Sequence, residues 1–235
     1  MIKVLGLSFA AVGLTLGFAA PAFAANDIYV DNVGLPYFEN VNLNGTIDGH
    51  GYSDNNQMAG QIVLTVNTGL TPGVPQYTLP VWCVDIFHDI GLGSNGEQFS
   101  EGPLATDNSD LPSTPLSSYQ IGKITALASY GNYLMRTTPA AAKDLISVEV
   151  QAAIWTVEYN NASLGNTLSV TSTTGSFDQT DINNLIDAAN NGIAAQLVAL
   201  NGSQGQVFDA VPEPASLGLL GAGVLGIGLA RRRKA

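Results

Sequence analysis

Cys83 is the only cysteine in 235 residues. No internal disulfide can staple this chain, so its fold has to come from buried apolar surface. The thiol is left for an intermolecular pair, for packing, or for other covalent chemistry. Hydrophobic residues supply 46% of the sequence, and the body between two distinctive ends, residues 25–210, is long enough for one domain with a sizeable core. A second full domain does not fit.

Strands come first. Asp27–Val30 and Gln61–Val66 are β-prone, Asn44-Gly45 and Asp48-Gly49 read as turns, and Tyr77 to Ile86 reads as a long central strand carrying Cys83. Gly91 to Ser118, rich in Gly, Ser, Asn, Asp and Pro, reads as a long surface loop. Helices follow. Leu116 to Arg136 spaces Ile121, Ile124, Leu127 and Leu134 helically, and Thr138-Pro139 starts a second helix over Ala140 to Tyr159, ended by Asn160-Asn161. Leu145, Val148, Gln151/Ala152 and Trp155 form its inward stripe, with Glu149 and Glu158 solvated and Tyr159 at the rim. Leu168–Val170 returns to the sheet. Thr180 then caps a third helix to Leu200, turning Ile182, Leu185, Ile186, Ala189, Ile193 and Leu197 inward, and Gln206 to Ala210 forms a last strand. The expected class is α+β: an antiparallel sandwich- or barrel-like sheet with a packed subdomain of about three helices.

The ends bear on compartment. Lys3, the apolar run from Val4 to Ala20 and the small residues Ala22 and Ala24 read as a secretory signal peptide over 1–24. At the other end, Pro212-Glu213-Pro214 precedes an uncharged glycine-rich run, Ala215 to Ala230, and then Arg231, Arg232, Arg233 and Lys234. A helix over 215–230 reaches roughly 24 Å against a hydrocarbon core of ~30 Å, a minimal span, and its basic end belongs on the cytoplasmic side. This tail, 211–235, resembles the PEP-CTERM sorting signal in its triplet, short span and arginine cluster. The resemblance implies a Gram-negative cell, transient contact with the secretion machinery and inner membrane, and processing by an exosortase-type enzyme. It also implies a destination at the cell surface or in an exopolysaccharide-associated matrix.

Charge narrows the partners further. Of 8 Lys and Arg, only Lys123, Arg136 and Lys143 fall in the body, whereas of 19 acidic residues only Glu213 falls outside it. So acidic a body repels nucleic acid and anionic lipid. There is no phosphate-binding glycine loop and no CxxC. Asp85, His88 and Asp89 do not complete a metal set even with the distant His50, so no metal and no cofactor is expected.

What remains is one pairing. A glutamine on the inner face of a helix needs partners for its carboxamide, and hydrogen bonds to backbone satisfy it. Held against Cys83, the same carboxamide becomes an electrophile for a soft sulfur nucleophile, yielding a thioester and ammonia. Trp82-Cys83 on a strand, followed by Val150-Gln151-x-x-Ile154-Trp155 on a helix, resembles the two motifs of the thioester domains of Gram-positive surface adhesins. That resemblance implies a Cys83–Gln151 bond and covalent adhesion to a nucleophile, often an amine, on a partner surface or matrix. Here Trp82 stands where those domains carry Tyr, Phe or Leu. Around the pair, Asp85 shares the Cys83 face of the strand. His88 either faces away or lies past the strand end as a base, and Trp82 and Trp155 pack the core or shield the bond. Such a domain reacts once and is not an enzyme. Two rivals stand beside it: a structural surface protein with a buried free thiol, and a secreted enzyme using Cys83 as nucleophile with His88 as base.

Overall fold

The computed structural model describes residues 27–67, 77–87, 97–102, 116–189, 197–201 and 206–209. The expected signal peptide and sorting tail lie outside these residues, as do His88, Asp89 and Ile193.

Two long strands, β1 (Asp27–Ile47) and β2 (His50–Asn67), form an antiparallel hairpin. Its two-residue loop is Asp48-Gly49, with φ of 53° and 76°. Both values are positive, as the favoured two-residue hairpin turns require. Asn44-Gly45, expected as a second turn, instead lies inside β1. There Gly45 pairs with Tyr52 on one side and Leu168 on the other. The reason is close approach: a Cβ on Gly45 would lie 1.9 Å from the Thr167 carbonyl oxygen. The glycine marks strand contact rather than chain reversal.

Strand β1 has company along both edges. Besides β2, its start pairs with β4 (Glu97–Gly102) and its end with β5 (Thr167–Ser172). Strand β3 (Tyr77–Cys83) lies on β2, β7 (Gln206–Asp209) on β3, and β6 (Leu197–Asn201) joins β7 to β4. All seven pairings are antiparallel, and because β1 also bonds β2 the sheet curls back on itself. With its helices this is the α+β class expected. Two boundaries differ: β3 stops at Cys83, where the chain turns, and β4 occupies part of the stretch read as loop.

Among the described residues, three α-helices cover the sheet: α1 (Ser118–Thr137), α2 (Lys143–Tyr159) and α3 (Gln179–Ala189). A capping box between Ser117 and Gln120 starts α1. Thr138 does not cap α2. It closes α1 by donating its N–H to the Leu134 carbonyl, and a 3₁₀ turn at Ala140–Ala142 leads into α2. Asp178, rather than Thr180, caps α3 by accepting from the amides of Thr180 and Asp181. The described helix runs to Ala189, and Leu197, expected within it, lies in β6 instead.

The inward stripe of α2 departs from its simple pattern at both ends. Leu145 is 36% exposed, while Glu158 and Tyr159 are 3% and 1% exposed. Burial is continuous from Val150 to Tyr159 because α1, α3 and the sheet pack around that half of the helix. A helix wrapped on every side has no solvent face on which to place Glu158.

At the end of β5 and just past it, the hydroxyls of Ser172, Thr174 (2.8 Å) and Ser176 (2.6 Å) all donate to the Glu39 carboxylate. Burial pushes the Glu39 pKa up, but the three hydroxyls outweigh it and hold the group below its ordinary 4.5. Its stabilisation is therefore fully present above pH 4.5 and lost as pH falls through the lower folded value. Acid unfolding followed by circular dichroism should show a shallower loss of stability below pH 4.5 for Glu39→Gln than for the native chain.

Candidate functional site: the Cys83–Gln151 pair

Cys83 ends β3, and Gln151 projects from the middle of α2 directly onto it. The Cys83 amide donates to Gln151 Oε1 at 3.0 Å, and Gln151 Nε2 donates to the Cys83 carbonyl at 2.7 Å. Both residues are buried, at 3% and 1% exposure. The carboxamide is thus fixed in place and orientation against the one cysteine.

The sulfur is held separately. Past Cys83 the chain turns, so that Sγ donates to the Asp85 carbonyl at 2.8 Å and accepts from the Asp85 amide at 3.3 Å. The Asp85 carboxylate tightens this turn by accepting from the Phe87 amide at 2.8 Å. Two tyrosines then grip Ile86: Tyr52 donates to its carbonyl at 3.3 Å, and the Tyr159 hydroxyl accepts from its amide at 3.4 Å. Phe87 packs edge-on against both rings, at 5.2 Å and 5.7 Å. Asp85 therefore supports the site twice, its backbone holding the sulfur and its carboxylate holding the turn.

Electrostatics keep the sulfur protonated. Burial pushes the Cys83 thiol well above its ordinary value, and the charges of Asp85 and Glu158 push the same way, against the hydrogen bond from the Asp85 backbone. Burial likewise raises Tyr159, with Glu158 and Asp85 adding to it, and Tyr52 is pushed up to about 12 by burial and by Asp54 and Asp85. Both phenols stay neutral donors or acceptors over Ile86. A thiol so placed is a poor free nucleophile in solution.

The other expected residues divide cleanly. Trp155 and Ile154 are buried in the core beside the pair. Trp82 is fully buried and donates its indole N–H to Asn132 Oδ1 at 3.0 Å, an acceptor shared with Gln61 Nε2 at 2.8 Å. The sequence did not single out Asn132, and Tyr159, expected at the rim, is buried with its hydroxyl over Ile86. For Asn132 the available signal was its place four residues after Ala128 on the inward face of α1. His88 lies outside the described residues, as do Pro212, Glu213, Pro214 and the Arg231–Lys234 cluster. Among the described residues, no group of three or more His, Cys, Asp or Glu is placed to hold a metal ion.

The same clamp occurs a second time. Asn160, just past α2, donates to the Leu168 carbonyl at 3.2 Å and accepts from the Leu168 amide. A carboxamide pairing with both backbone groups of a strand residue is thus a device that fastens α2 to the sheet at β5 as well as at β3. Only at β3 does the clamped residue carry a thiol.

The tail is where comparison with known proteins decides something. Residues 210–234 match the PEP-CTERM protein-sorting motif. The PEP-CTERM tail supports an exported protein sorted by exosortase from a membrane-anchored precursor. Among the described residues no helix is long and apolar enough to cross a membrane, and the expected span at 215–230 lies outside them. No curated protein and no solved structure matches the chain that carries this PEP-CTERM tail. The likeness of its body to thioester domains rests on the residues of the two motifs.

Proposed function

We propose that the exported body is a thioester domain that attaches covalently, once, to a nucleophile on a partner at the cell surface or in the surrounding matrix. The observation that carries this reading is the clamping of the buried Gln151 carboxamide onto the backbone of the only cysteine, itself buried. Holding the two residues side by side makes attack of the thiol on the carboxamide an intramolecular step.

The chemistry balances simply. Cys83 sulfur attacks the Gln151 carboxamide carbon, an S–C bond forms, the C–N bond breaks, and the thiol proton leaves with nitrogen as ammonia. An arriving amine then attacks the thioester carbonyl. An amide forms, the C–S bond breaks, and the amine proton returns to the Cys83 thiol. Nothing regenerates the carboxamide, so the domain is consumed rather than turning over. Exosortase processing at the tail would deliver it; the adhesion target is a surface or matrix amine.

The second reading is a structural surface protein in which Cys83 is a buried free thiol, and the clamp at Asn160 and Leu168 favours it, since there the geometry serves packing alone. Intact mass separates the two. The thioester reading expects the purified 25–210 body to lie one ammonia below its sequence mass, with the deficit absent in Cys83→Ala and in Gln151→Ala. A full mass with one alkylatable thiol after unfolding overturns it. Methylamine should add stoichiometrically, and repeated turnover would favour a secreted cysteine enzyme.

A further inference from the structure

A cavity of about 740 Å³ opens where the turn after α2 meets β1, β5 and the start of α3. That volume falls in the roughly 300–1,000 Å³ range of small-molecule sites. Neither Cys83 nor Gln151 lines it, so it stands apart from the clamp. Five of its lining residues carry carboxamides: Asn44 of β1, Asn160 and Asn166 of the turn, and Gln179 and Asn183 of α3. Among the described residues, none that lines it is ionisable, although all acidic residues of the chain but Glu213 belong to the body. The site therefore offers no carboxylate to a cation and no lysine or arginine to an anion. Two of the carboxamides are already fixed. Asn160 holds the Leu168 backbone, and Asn166 accepts from the Asp48 amide at 2.8 Å and donates to the Asp48 carboxylate at 3.4 Å. A carboxamide has two N–H donors and two main lone pairs, so each keeps one of both to offer, in an orientation set before any ligand arrives. Thr156 lines the cavity from α2, and its hydroxyl is buried with no hydrogen-bond partner among the described residues.

We propose that this cavity binds a short neutral saccharide, either free or as the end of a longer glycan. A sugar hydroxyl donates and accepts at once, and a site of carboxamides and hydroxyls answers both roles with no charge to desolvate. The Thr156 hydroxyl, left without a partner in the empty site, gains one from the ligand. An acidic sugar finds no counter-ion here and meets the negative field of the body. The proposal stands whether or not Cys83 and Gln151 form a thioester.

The test is isothermal titration calorimetry on the full-length chain, held in a detergent without a sugar headgroup. Cellobiose, lactose and mannobiose are the neutral probes, and digalacturonate is the acidic one. At least one neutral disaccharide should bind saturably, with digalacturonate about tenfold weaker or more. Thr156→Val keeps the shape of the side chain and removes its hydroxyl, and should weaken binding about tenfold, the worth of one buried hydrogen bond. Ala162→Trp fills the cavity from an exposed position on its rim, and should abolish binding with the urea midpoint unchanged. Binding of none of the three neutral sugars overturns the proposal, as does equal binding of digalacturonate or native affinity in both variants. A hexasaccharide of the sugar that binds then assigns the source: retained affinity supports the end of a glycan, and lost affinity supports the free sugar.

Discussion

Gly45→Ala is expected to destabilise the fold by on the order of 3 kcal/mol or more, the upper range for overpacking at a site with no room to relax. The added Cβ would meet the Thr167 carbonyl oxygen at 1.9 Å, the Thr167 carbonyl carbon at 2.8 Å and Leu168 Cα at 3.0 Å. All three are backbone atoms of β5, so no rotamer change relieves the clash and the strand itself has to move. Moving β5 also strains the Asn160 clamp on Leu168 and with it the far end of α2. Urea unfolding measures the loss, and Gly122→Ala is the control. Gly122 lies in α1 with nothing within 4 Å of its Cβ position. It should stabilise by about 1 kcal/mol through helix propensity alone. Equal behaviour of the two variants would refute the close approach of β5.

Asn132→Ala is the second large effect, at roughly 2–5 kcal/mol, because it strands two buried donors at once. Gln61 Nε2 and Trp82 Nε1 both end on the Asn132 carbonyl. The Gln61 backbone amide donates separately to the Ser147 hydroxyl at 2.6 Å, so Asn132 ties α1 to β2 and β3, and the same residue of β2 is fastened to α2. Loosening Trp82 loosens the residue next to Cys83. Alkylation of the thiol in a Gln151→Ala background should therefore speed up when Asn132→Ala is added. Asn132→Asp keeps an acceptor for both donors and should recover most of the stability. If Asn132→Ala unfolds at the native urea midpoint, the shared-acceptor network carries little.

The particular residues explain which parts of this fold could be read in advance. Helices α1 and α2 were legible because their apolar spacing and the Pro139 and Asn160 boundaries are local signals. The inward place of Gln151 was legible for the same reason, since a polar residue flanked by Val148, Ala152 and Trp155 has nowhere else to face. Gly45 was misread because an Asn-Gly pair carries the same local signature whether it reverses the chain or admits a neighbour's backbone. Glu158 and Tyr159 were misplaced because their burial comes from α1 and α3 packing over the far side of α2. That is a property of tertiary arrangement that no one-helix pattern contains. Strand β6 was absorbed into the third helix because Leu197 fits the i+4 series from Ile193, and only pairing with β4 and β7 decides between the two. The turn that wraps the sulfur was hidden by the β-prone run Val84 to Ile86, which continues the strand pattern past the point where β3 ends.

The place of β7 has a mechanical consequence. Its last residue, Asp209, directly precedes the sorting motif that begins at 210, and its rungs to β3 are Trp82↔Val207 and Cys83↔Gln206. Tension on a body tethered through that tail enters the fold at the strand beside the cysteine. Such a pull loads the β3–β7 and β6–β7 ladders, while the long β1–β2 hairpin lies further along the sheet. The buried thiol thus lies on the strand that pairs with the last strand before the sorting motif.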